Sequence, residues 1–189
     1  MHRITILLIG CSLALGSLCA VPVDFTPRPH LVELDGVPFH DIKFLQGKTE
    51  IYYRPPQGWV ASGSPEHACF QSSASSSVRV EFTHIEGTQP PAWDEEGLKA
   101  LRERAQATIP QVKDLKLIGE LRSPLRIDGH ETMAFTFSGV VFAQNYKFFL
   151  LVLPLETEQF NFLLYANEKE FGASSKLFLN SLFGLQWHR

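Results

Sequence analysis

The residues whose types and spacing suggest metal chemistry are His67, Cys69 and His84. His67 and Cys69 lie two apart, a spacing that on a strand projects both side chains from one face toward a zinc or copper ion. His84, on the next strand, is the natural third ligand. Phase opposes it. His84 is in register with Val78, Val80 and Phe82, an apolar face, whereas His67 and Cys69 are out of phase with Ala68 and Phe70. With Phe70 and Phe82 facing one core, His84 points away from the pair. The sequence is therefore read as holding no metal site, and Cys69 as a small buried apolar residue. Asp94-Glu95-Glu96 is a second acidic group, but three consecutive helical residues splay around the axis and cannot converge on one ion. Negative charge there suits a helix N-terminus.

Nucleophilic catalysis has no better support. Ser62-Gly63-Ser64 lacks the strand-to-helix setting of a nucleophile elbow, and Cys69 with His84 fails on the same phase argument. The sequence contains no glycine-rich phosphate loop, no His-Glu-x-x-His and no dinucleotide fingerprint. Expected catalytic residues, metal ligands and cofactors are accordingly none. The aromatic residues that could reach a surface are Tyr52, Trp59, Trp93, Tyr146, Tyr165 and Trp187. Tyr165 shares a strand face with Gln159 and Asn161, opposite Phe162 and Leu164. That face either lines a groove or is covered by a helix.

The elements that must position these residues follow from periodicity. Alternation predicts a hairpin of Ile42–Phe44 with Glu50–Tyr53, then Trp59–Ala61 after the turn Pro55-Pro56-Gln57-Gly58. His67–Gln71 and Val78–Ile85 pair across a flexible serine-rich link, Ser72–Ser77. A helix opens at Asp94, carries Leu98, Leu101, Ala105 and Ile109 on one stripe, and stops at Pro110. Leu115, Leu117 and Leu121 alternate on a strand. Asp128-Gly129 is a type I′ hairpin signal between Leu125–Ile127 and Glu131–Val141. Phe148–Leu153 is apolar at every position, so both its faces should be covered. Gln159–Ala166 follows, and Asn167 caps a last helix running to about Phe183, with Phe171, Phe178 and Leu182 inward. These elements imply an α+β fold. A mostly antiparallel sheet is flanked by helices on both faces, an α/β/α sandwich.

Met1-His2-Arg3 followed by an apolar run from Ile4 to Ala20 has the layout of a secretory signal. Cleavage after Ala20 is one exit. Leu8-Ile9-Gly10-Cys11 resembles a lipobox, which gives a lipid anchor on Cys11 as the alternative, and an uncleaved membrane segment is a third. Either way the protein is expected outside the cytoplasm, periplasmic or secreted. Val21 to Phe39, rich in proline, reads as an extended tether, and His40 to Arg189 as one domain. Of three cysteines, Cys11 and Cys19 fall in the signal, leaving Cys69 without an internal partner. Hydrophobic residues at 44% and charged residues at 20% exclude disorder, and a net charge of −3 argues against nucleic acid.

The order of elements, the turn Tyr53-Arg54-Pro55-Pro56-Gln57-Gly58-Trp59 and the closing helix with Phe178-Leu179-Asn180-Ser181-Leu182-Phe183 resemble the PsbP/Mog family over roughly His40 to Trp187. The resemblance implies a fold used mainly for binding and carries over no functional residue. The expected function is an exported, non-enzymatic binding or accessory module acting on an envelope protein or complex. A carrier of a small apolar ligand held between sheet and helix is the alternative, and an exported hydrolase ranks below both.

Overall fold

The computed structural model describes residues 21–109 and 112–188. The signal-like stretch Met1–Ala20, with Cys11 and Cys19, lies outside the described residues. Strand β1 (Val23–Leu34) turns into β2 (Val37–Gln46) and then β3 (Thr49–Tyr53). The proline turn leads to β4 (Trp59–Ser64), β5 (His67–Ser72) and β6 (Arg79–Glu86). Helix α1 (Glu95–Thr108) precedes β7 (Lys113–Ile127), β8 (His130–Val141), β9 (Gln144–Pro154) and β10 (Glu158–Asn167). Helix α2 (Glu168–Leu182) and the short β11 (Gln186–His188) follow. The fold is α+β and mostly antiparallel. The strands divide into two sheets rather than the single one expected, β1-β2-β3-β11 and β4-β5-β6-β10-β9-β8-β7.

The proline-rich segment is extended, but it is not a tether. It forms β1 and the start of β2, and Val23 and Phe25 are buried in the core. Proline is tolerated because β1 is an edge strand. Its ladder breaks between Asp24 and Arg28, where Pro27 falls. Among the described residues the packed core thus reaches back to Val23, well before His40.

Strand β9 explains its own composition. Phe149, Leu151 and Leu153 join one core cluster, while Phe148, Leu150 and Val152 join another. The first cluster takes in Phe44, Ile51 and Tyr53 of the small sheet, Phe70, Phe82 and Phe162 of the large sheet, and Phe178 and Leu182 of α2. The second gathers Met133, Phe135 and Phe137 of β8 with Leu101 and Ala105 of α1. Both helix starts are capped as the sequence implies. Asp94 Oδ1 accepts from the Gly97 amide at 2.8 Å, and Asn167 Oδ1 from the Glu170 amide at 3.0 Å. Gly97 is required there, since a Cβ would stand 1.9 Å from the Ala92 carbonyl oxygen.

Two local expectations change. Leu117 and Leu121 do not point into a core; they are exposed, along with Ile118. Strand β7 is an edge with three breaks in its register against β8, so simple alternation does not hold along it. The serine link is held in place. Ser77 Oγ donates to Glu170, and Asn167 Nδ2 donates to Ser77 Oγ at 2.9 Å, joining the loop to the start of α2.

Candidate functional site

Alternation in the small sheet decides which side chains are available. Ile42, Phe44, Ile51 and Tyr53 turn inward, so Asp41, Lys43, Glu50, Tyr52 and Arg54 turn outward. Register brings His30 opposite Asp41, and Gln186 opposite Tyr52. The result is an aromatic row across the sheet. The His30 and Tyr52 rings stand 4.8 Å apart, and Tyr52 and His188 5.0 Å apart. Beside the row, Arg54 forms a two-pronged ion pair with Asp41, Nε to Oδ1 at 2.6 Å and Nη2 to Oδ2 at 3.1 Å. Its guanidinium lies 4.2 Å from the Phe39 ring centre.

A groove of about 580 Å³ runs over His30, Asp41, Tyr52, Arg54, Gln186 and His188. A second, of about 640 Å³, is lined by Pro38, Phe39, Pro55, Pro56 and Trp59 and also touches Arg54. The two meet at that side chain. The proline turn that marks the family resemblance is thus one wall of the second groove.

Hydrogen bonds between neighbouring side chains set the electrostatics of this surface. Lys43 Nζ donates to Glu50 at 2.8 Å, and Tyr52 also donates to Glu50. The Lys43 hydrogen bond, then that of Tyr52, holds the Glu50 carboxyl below its ordinary range, and the Glu50 carboxylate raises the Tyr52 phenol. Asp41 stabilises charged Arg54 in the same way. Each of these charges is matched by a neighbour. The surface offers rings, matched ion pairs and hydrogen-bonding edges.

The other sequence candidates are separated by the sheet. His84 lies on the side of Val80 and Phe82, its ring 4.8 Å from that of Phe160. Its Nε2 is 2.7 Å from Glu158 Oε2, which also accepts from Gln46 Nε2 at 2.6 Å. Cys69 is buried, in register with Glu81, on the opposite face. Among the described residues no three His, Cys, Asp or Glu side chains stand together as a metal cage. Ser64 sits in the β4–β5 turn with Glu66 and His67. Its hydroxyl donates to Glu66 at 2.6 Å, and the His67 Nδ1 contact is longer, 3.1 Å. The proton therefore goes to the carboxylate, not to an activating imidazole. Tyr165 donates to Glu81 at 3.2 Å, and its neighbours Gln159 and Asn161 are each 1% exposed, so that face is covered. The groove on the small sheet was missed because His30 and Val32 come from the segment read as a tether, and Gln186 and His188 from an unforeseen last strand. Of its lining residues, Tyr52 was singled out as a surface aromatic and Arg54 only as part of the proline turn.

No protein-family model matches this sequence, and no curated protein matches it. Solved structures do share the fold. The Ran-binding protein Mog1p of Saccharomyces cerevisiae is 10% identical, with 86% of this chain and 96% of that chain covered and a TM-score of 0.50. LpqN of Mycobacterium tuberculosis, involved in cell envelope biogenesis, is 11% identical over 85% of this chain and 90% of that chain, also at 0.50. The cyanobacterial PsbP of Synechocystis is 13% identical over 95% of this chain and all of that chain, at 0.49. The resemblance to PsbP/Mog proteins expected from the sequence holds at the level of fold.

Proposed function

We propose that this chain is an exported, non-enzymatic accessory module that binds a protein of the cell envelope through the paired grooves on its small sheet. The observation that carries the reading is the meeting of an aromatic row and a proline-aromatic groove at Arg54, on a surface whose charges are already matched. A matched surface gives specificity by shape and by ion pairs that must not be displaced. That Mog1p is a Ran-binding protein and that LpqN is involved in cell envelope biogenesis is compatible with such a role and names no partner. The rest of the reading is of one piece with it: Met1–Ala20 as the export signal, or Cys11 as a lipid anchor, and a helix–sheet–helix layering supported by the two core clusters.

The competing reading, a carrier with its ligand between sheet and helix, loses ground because that space is filled. Phe82, Phe149, Phe162 and Phe178 occupy it, with ring centres 4.8 to 6.5 Å apart. The test is affinity capture from the native envelope with the parent chain and with Tyr52→Ala and Arg54→Glu variants of unchanged melting temperature. A specific partner lost from both variants supports the proposal. A partner retained at the parent level by both overturns the site, and no specific partner at all overturns the function.

A further inference from the structure

Val21 stands two residues ahead of β1 and is already tied to the fold. Its carbonyl accepts from Gln46 Nε2 at 3.0 Å. Its side chain rests on the β2–β3 turn, where a Cβ on Gly47 would stand 3.3 Å from Val21 Cγ1. The same Gln46 amide donates to Glu158 Oε2 at 2.6 Å, so one side chain links the Val21 peptide to that carboxylate. Glu158 in turn lies directly opposite Glu86 in the β10–β6 ladder. Alternation puts both on the face of Phe82 and Phe160. Like charges directly opposite on one face are destabilising. His84 offsets one of them, with Nε2 2.7 Å from Glu158 Oε2. Among the described residues neither glutamate is ion-paired with a lysine or arginine.

The surroundings add more negative charge. A groove of about 380 Å³ beside Glu86 and His84 is walled by Pro22, Val23, Asp24 and Glu66. Asp24 is taken by Arg28, and Glu66 accepts from Ser64. Lys48, next to Gly47, is exposed and in no ion pair among the described residues. The corner is therefore short of one positive charge, at the place where Val21 is held. We propose that the missing charge is the chain's own α-ammonium, which hydrolysis of the Ala20–Val21 bond leaves on Val21 beside Glu86 and Glu158. The C–N bond breaks, and water supplies the oxygen that makes the Ala20 carboxylate. Its two protons go to the Val21 nitrogen, which becomes an ammonium. An ammonium brings three donors and a full charge to a corner rich in acceptors, where an uncleaved chain has one neutral amide. This inference rests on the reading of Met1–Ala20 as an export signal and gives the processed end a structural task. A lipid anchor on Cys11 would keep the Val21 nitrogen an amide, so the two exits from the signal leave this corner with different charges.

The experiment expresses the full chain in its own host and reads the N-terminus of the product by intact mass and terminal sequencing. The expected start is Val21. The α-amino group of that product, followed by NMR, should titrate at least about half a unit above the ordinary range of about 7.7–8.0. A folded value above the unfolded one stabilises fully below about pH 7.5 and is lost as pH rises through the folded value. A chain with a Gly-Ser pair added ahead of Val21 carries its ammonium away from the corner. It should melt at least about 2 °C lower at pH 7, with the gap closed by about pH 10. Glu86→Gln, at an exposed position, identifies the cause. It should lower the melting temperature of the Val21 chain, where it removes an attraction, and raise that of the extended chain, where it removes only repulsion. A start at Cys11, or anywhere other than Val21, overturns this inference together with cleavage after Ala20. A start at Val21 with an ordinary α-amino titration, or with Glu86→Gln acting alike in both chains, overturns this inference and leaves the export reading standing.

Discussion

At the scale of single residues, the informative groups are charges placed to be matched. Asp24 accepts from Arg28 and from the Thr26 hydroxyl and amide, and these bonds lower its carboxyl to about 2 from the ordinary 3.8. A folded-state value below the unfolded one stabilises above about pH 4 and loses that contribution as pH falls toward 2. Both side chains are about a third exposed, so screening limits the effect to about 1 kcal/mol or less. Asp24→Asn should therefore be less stable than the parent by that amount at pH 7, with the difference vanishing below about pH 2. Urea unfolding across pH measures it. Sequence reading found the right phase for His84 and for Cys69, because period-two alternation is a property of the strand alone. It could not find Glu158 as the partner of His84, or Arg54 as the partner of Asp41, because register between distant strands is fixed by the whole sheet.

At the scale of elements, caps and apolar stripes were legible and sheet edges were not. Asp94 and Asn167 announce their helices through side-chain chemistry confined to one turn. The alternating leucines of β7 misled because an edge strand with bulges no longer presents one face to one neighbour. Asn167 has a further role that only the tertiary structure shows. It caps α2 and holds Ser77 and Glu170 together, so the serine loop and the helix start are one unit. Asn167→Ala should cost about 1 kcal/mol, the usual loss for a cap. It should also raise amide hydrogen exchange across Ser72–Ser77, a change that loss of a cap alone would confine to the first turn of α2. Exchange mass spectrometry distinguishes the two.

At the scale of the whole molecule, two sheets are held together by an apolar core and by polar links, among them the Phe25 amide to the Pro65 carbonyl and a side-chain clasp at Glu158. Gln46 of the small sheet and His84 of the large sheet both meet Glu158 Oε2. The His84 and Glu158 side chains are 6% and 15% exposed, so removing the carboxylate leaves the buried His84 ring without its partner, while Gln46 keeps its bond to the Val21 carbonyl. Glu158→Leu should cost about 3 kcal/mol, and Glu158→Gln less, because the amide oxygen still accepts one bond. Thermal unfolding of the pair ranks them. If both variants melt like the parent, the Glu158 clasp does not contribute to holding the sheets together. The general architecture was readable from element order. The division into two sheets was not, because nothing local tells β3 to pair with the last described strand rather than with β4.

The place of β10 in the large sheet has a consequence in time as well as in space. Strands β4 to β6 and β7 to β9 are two meanders of consecutive hairpins, each able to close over short loops. The join between them waits for β10, where Phe162 must find Phe82 about eighty residues back along the chain. Until Glu158–Asn167 has been synthesised, the inner edges of β6 and β9 are open rows of unpaired backbone, and the β9 edge is flanked by the apolar run Phe148–Leu153. A nascent chain stopped short of Glu158 is therefore two sticky halves, and the protein depends on whatever keeps them apart until its central strand arrives.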